Sequence, residues 1–103
     1  MRLRLTDQQV QQICQTVAEL VGTEAEVWLF GSRVDDRLKG GDVDLLIRLS
    51  QPVENPALVS ARLSAKISRA MAGRKVDILL WAPNLQPQPI HDWAQQTGVR
   101  LRC

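Results

Sequence analysis

The chain has 103 residues, enough for one domain with one modest core, expected to span residues 1–103. A hydrophobic fraction of 45% is ordinary for a folded globular protein and excludes wholesale disorder. A net charge of +2 is too small to argue for direct nucleic-acid binding, and Arg2, Arg4, Arg100 and Arg102 near the ends read as scattered surface charge.

No apolar run approaches the length of a membrane span, and the start carries no apolar signal core, so cytoplasmic residence away from membranes is expected. Neither Cys14 nor Cys103 has the CxxC spacing or histidine company of a zinc site, and a lone pair makes a poor case for a disulfide. Cys14 is expected to be structural and Cys103 incidental.

Thr6-Asp7-Gln8-Gln9 has the form of a capping box, with Thr6 as N-cap. Val10, Ile13, Cys14, Val17, Leu20 and Val21 then recur at helical spacing until Gly22, which predicts an amphipathic helix covering one face of a sheet. Ala25 to Phe30 is the first predicted strand, broken by Gly31-Ser32. Arg33 to Leu38 is compatible with a helical turn, and Gly40-Gly41 permits tight re-entry into a second strand, Val43 to Arg48. If Gly31 and Asp42 share one site, these two strands are antiparallel.

Asn55 is a plausible N-cap with Pro56 in the first helical position. Val59, Leu63, Ile67 and Met71 repeat every four residues, Leu58 and Ala70 widen that stripe, and Gly73 ends the helix. A helix of this length serves as a crossover, so the third strand, Lys75 to Trp81, should run parallel to the second. Asp77 alternates against Val76 and Ile78 and therefore takes the opposite face. Pro89 opens a short helix with Ile90, Trp93 and Ala94, Gly98 ends it, and Val99 to Arg102 forms a short edge strand or tail. The fold class is α+β: a mixed sheet with helices packed on it and an acidic site at one edge.

Asp42 and Asp44 are the first chemical signal. Residues i and i+2 of a strand share a face, and two carboxylates about 5 Å apart at an effective dielectric near 20 repel by roughly 3 kcal/mol. A hard divalent cation such as Mg²⁺ supplies the missing charge. Parallel pairing brings Asp77 to the same end of the sheet, where three carboxylates can hold two Mg²⁺ ions for phosphoryl chemistry. Asp77, the most isolated, is the candidate to accept a proton from an attacking hydroxyl. Gly31 lets backbone approach a phosphate closely, Ser32 can donate to it, and Arg33 can add a charge-assisted contact. His91 stands beside Asp92 and Trp93 and is expected at the surface or facing a partner. Trp28, Trp81 and Trp93 suit a core, and Trp93 is also the candidate partner-contact residue.

Phe30-Gly31-Ser32-Arg33, then Gly41-Asp42-Val43-Asp44-Leu45-Leu46, then Val76-Asp77-Ile78 together resemble the nucleotidyltransferase pattern of the DNA polymerase beta superfamily, and above all its minimal nucleotidyltransferases. The resemblance implies that Asp42 and Asp44 are metal ligands, that Asp77 is the third carboxylate, and that Gly31 and Ser32 hold the phosphates of a nucleoside triphosphate. Mg²⁺ and ATP are implied with them. Minimal nucleotidyltransferases often accompany a HEPN-domain toxin and act as its antitoxin, by transferring AMP to a tyrosine of the toxin or by binding it. Gly41 stands where many relatives carry a serine, which touches only a secondary loop contact.

The expected function is therefore Mg²⁺-dependent protein adenylylation of a cognate HEPN toxin. Two alternatives stand beside it. One is a non-catalytic module that neutralises its partner by masking. The other is a small-molecule, antibiotic-type nucleotidyltransferase, which needs an acceptor pocket that this length barely permits.

Overall fold

The computed structural model describes residues 5–30 and 43–103. Helix α1 (Asp7–Val21) begins at Thr6 with the full capping box: the Gln9 amide donates to the Thr6 hydroxyl at 3.1 Å, and the Thr6 amide donates to Gln9 Oε1 at 2.9 Å. Strand β1 (Glu26–Phe30) follows, then β2 (Val43–Arg48). Helix α2 (Pro56–Ala70) starts at Asn55, whose side chain accepts from the Leu58 amide at 3.2 Å, with Pro56 in the first turn. Strand β3 (Val76–Trp81), helix α3 (Pro89–Thr97) and the short strand β4 (Val99–Arg100) complete the described elements.

The four strands form one sheet in the order β3-β2-β1-β4. Strands β1 and β2 are antiparallel, as are β1 and β4, whereas β2 and β3 are parallel and joined through α2. Both expected pairings hold, and the C-terminal segment is a strand at the sheet's edge.

Alternation divides the sheet into two unlike faces. One carries Val27, Leu29, Val43, Leu45, Ile47, Val76 and Leu80, all buried, against Ile13 and Val17 of α1 and Leu63 and Ile67 of α2. This is the main core. The other carries Trp28, Phe30 and Leu46 under Ala94 of α3, with Leu79 and Trp81 partly buried beside them. The stripe on α2 is narrower than expected, because Leu58 is 44% exposed and Ala70 is also exposed. Leu58 precedes Val59 by one residue, about 100° around the helix, and so turns away from the sheet.

Three side chains fix the borders of this frame. The Ser68 hydroxyl donates to the Arg74 carbonyl at 2.6 Å and the Ser64 hydroxyl to the Val76 carbonyl at 2.5 Å, tying α2 to the start of β3. Asn84 accepts from the Val53 amide at 2.9 Å and donates to the Val53 carbonyl at 2.7 Å, clamping two loops together.

Two expectations are corrected. Cys14 and Cys103 form a disulfide that joins α1 to the C-terminal segment across 89 positions of sequence. No local spacing signals such a pair, because its geometry exists only once β4 is laid beside β1. His91 is neither superficial nor partner-facing. It is 5% exposed, stacked at a tilt on Trp81 with ring centroids 5.5 Å apart. The Gln88 amide donates to its Nδ1 at 3.0 Å, which leaves the ring proton on Nε2 to donate to the Leu80 carbonyl at 3.0 Å.

Candidate active site

Strand pairing assembles the acidic face. Phe30 opposes Asp44 across the antiparallel β1–β2 pair, and Asp44 opposes Asp77 across the parallel β2–β3 pair. Each aspartate is the second residue of its strand. Neighbouring strands lie about 4.8 Å apart, so the two carboxylates leave the sheet side by side on the face opposite the main core. Asp44 is half-buried and Asp77 is exposed.

The surroundings are unequal on the two flanks. Beyond Asp44 lies the buried Phe30, whose ring meets Trp93 of α3 edge to face at 6.0 Å with an interplanar angle of 89°. Beyond Asp77 is the outer border of the sheet, where Ser64 and Ser68 brace the turn that leads into β3. These serines hold the backbone immediately before Asp77, and the sequence pattern did not single them out. The far end of the same face is cationic and aromatic. Arg48 lies over Trp81 at 4.9 Å, and Arg100 lies over Trp28 at 5.6 Å while pairing with Glu26 at 3.0 Å.

Asp42, Gly31, Ser32 and Arg33 lie outside the described residues. Of the three expected carboxylates, the described residues therefore bring two together, and among them no group of three His, Cys, Asp or Glu forms a metal cluster. The donor set that is present fits a hard divalent cation: two carboxylates in register on adjacent strands, one partly withdrawn from water and one exposed. Among the described residues no helix is long and apolar enough to cross a membrane.

Against known proteins, residues 10–97 match the family described as nucleotidyltransferase domain. Among solved structures, the fold is similar to a chain of the toxin–antitoxin complex MntA–HepT, with a TM-score of 0.65 at 15% identity over 94% of this chain and 72% of that one. It is equally similar to a chain of a complex in which a tri-AMPylated Shewanella oneidensis HEPN toxin is bound to its MNT antitoxin, with a TM-score of 0.66 at 15% identity over 95% and 72%. No curated protein matches the sequence.

Proposed function

The chain belongs to the nucleotidyltransferase domain family, and we propose that within it this protein transfers AMP from ATP to a hydroxyl of a cognate HEPN-domain toxin, acting as the antitoxin. The observation that carries this reading is the opposition of Asp44 and Asp77 in register on adjacent strands, at the end of the sheet where Asp42 and Gly31-Ser32 enter the chain. The choice of partner draws on the two structural neighbours, both complexes of a toxin with its antitoxin, one with an AMPylated toxin.

In this reading Asp42, Asp44 and Asp77 hold the metal, while Gly31, Ser32 and Arg33 receive the triphosphate. Bound Mg²⁺ supplies polarisation of the phosphate oxygens and charge for the leaving pyrophosphate. Asp77 takes the proton of the acceptor hydroxyl as its oxygen forms a bond to the α-phosphorus. The bond from that phosphorus to the bridging oxygen breaks, and pyrophosphate departs with the electron pair. Half-burial of Asp44 favours its role as the fixed ligand, and exposure of Asp77 leaves it open to an incoming acceptor.

Incubation of the purified protein with ATP, Mg²⁺ and the HEPN protein encoded beside it tests the reading by intact mass. The HEPN protein should gain one or more AMP masses. Modification of a small aminoglycoside with none of the protein would sink the proposal. Full neutralisation by a stably folded Asp42→Asn, Asp44→Asn double variant would replace transfer with masking.

A further inference from the structure

We infer that Trp93 is the platform on which the base of the nucleotide stacks. The inference rests on the nucleotidyl-transfer reading and adds a specificity-determining residue to it.

Tryptophan is costly to leave in water, yet Trp93 is 49% exposed in a chain that buries Trp28 almost completely. The ring is nonetheless held in place. Its edge-to-face contact with Phe30 fixes one side of the ring, while the helix backbone beneath it is anchored by the fully buried Ala94 and by the Thr97 hydroxyl, which donates to the Trp93 carbonyl at 2.6 Å. An aromatic ring that is anchored and half open loses little conformational freedom when a second ring system packs on it.

Its position selects the ligand. Helix α3 is pinned near Leu80 by His91 and crosses the acidic face towards β1, where Gly98 abuts Leu29 and Phe30. Trp93 thereby stands on the Phe30 flank of Asp44, and Asp77 stands on the other. An acceptor that gives its proton to Asp77 approaches from the β3 side. The nucleotide then extends over β1, whose last residue, Phe30, is bonded directly to Gly31-Ser32. Asp44 faces Phe30 across the β1–β2 pair and Phe30 meets the Trp93 ring at 6.0 Å, so a purine extending over β1 from a phosphate at Asp44 would reach that ring. Every base offers a π-face, so the platform favours purines through overlap area, with no hydrogen-bond readout.

Calorimetric titration with Mg²⁺–ATP and with Mg²⁺–tripolyphosphate separates the base from the phosphates. Trp93→Ala should weaken ATP binding on the order of 10-fold or more and leave tripolyphosphate binding within about twofold, and Trp93→Phe should retain most of the ATP affinity. If Trp93→Ala does not fold, Trp93→Leu should give the same selective loss. Unchanged ATP affinity, or equal loss for both ligands, overturns the platform while leaving nucleotidyl transfer intact. A Trp93→Ala protein that binds ATP normally but no longer binds the HEPN protein would make the ring a protein contact instead. Failure of the wild-type protein to bind either ligand would remove the nucleotidyl-transfer reading and this inference together.

Discussion

Asp44 and Asp77 oppose each other in register across the parallel β2–β3 pair, so their separation is set by the backbone ladder rather than by side-chain choice. Replacing either by Asn keeps the shape and removes the charge. Asp77→Asn should lower the transfer rate by on the order of 10² to 10⁴-fold while Mg²⁺–ATP still binds, and Asp44→Asn should lose both rate and Mg²⁺-dependent binding. Because Asp77 is exposed, its variant should unfold within about 0.5 kcal/mol of the wild type. Single-turnover transfer assays with parallel urea titrations check both halves.

The Cys14–Cys103 bridge closes a loop of nearly the whole chain, and chain-entropy reasoning assigns such a loop about 4–5 kcal/mol, an upper figure for real proteins. Reduction, or Cys14→Ser, should lower the urea midpoint sharply, and the two effects should not add. Structural disulfides are uncommon in reducing compartments, so the fraction of chains that carry this bridge in the cell follows the redox poise of the compartment. Alkylation of thiols in intact cells before purification reads which state prevails.

His91 caps the start of α3 by accepting from the Gln88 amide at Nδ1 and joins that helix to β3 through Nε2 and the Leu80 carbonyl. His91→Ala deletes both bonds and opens a gap against Trp81, which should cost about 1–3 kcal/mol in a urea titration. His91→Phe should recover packing and not the hydrogen bonds, giving an intermediate midpoint.

Gly98 sits where a Cβ would come within 2.5 Å of the Ala94 carbonyl oxygen, 2.8 Å of the Leu29 carbonyl oxygen and 3.0 Å of Phe30 Cβ. Gly98→Ala should therefore distort the last turn of α3, push its end away from β1 and destabilise the fold by about 1–3 kcal/mol. On the stacking model it should also weaken ATP binding more than tripolyphosphate binding, because Trp93 moves with the helix.

The elements were legible wherever a local period dictates them. The capping box at Thr6, the four-residue repeat from Val59 to Met71 and the alternation around Asp77 each relate neighbours about one helical turn or a few strand positions apart. The sense of each strand pair was also legible, because a short loop and a helical crossover allow few alternatives. What sequence left hidden is set by tertiary meeting of distant groups. Cys14 finds Cys103, and Ser64 finds Val76, only after β3 and β4 are in place. His91 was misplaced because its immediate neighbours are polar and aromatic, whereas its burial is decided by Trp81 and Leu80, about ten positions upstream. The site was legible as a motif, and the structure adds the opposition of Asp44 and Asp77 and the aromatic flank formed by Phe30 and Trp93.

Strand β3 is an outer strand, and its odd-numbered carbonyls turn inward, as the Val43 amide bond to Lys75 and the Leu49 amide bond to Trp81 show. The outward carbonyls belong to Val76, Ile78 and Leu80, and two of these already accept from Ser64 and His91. A foreign chain seeking to extend the sheet there would find its ladder interrupted at both ends. The acidic border is thus poorly suited to β-augmentation, and a partner reaching Asp77 must do so with a helix face or an isolated side chain rather than by lending a strand.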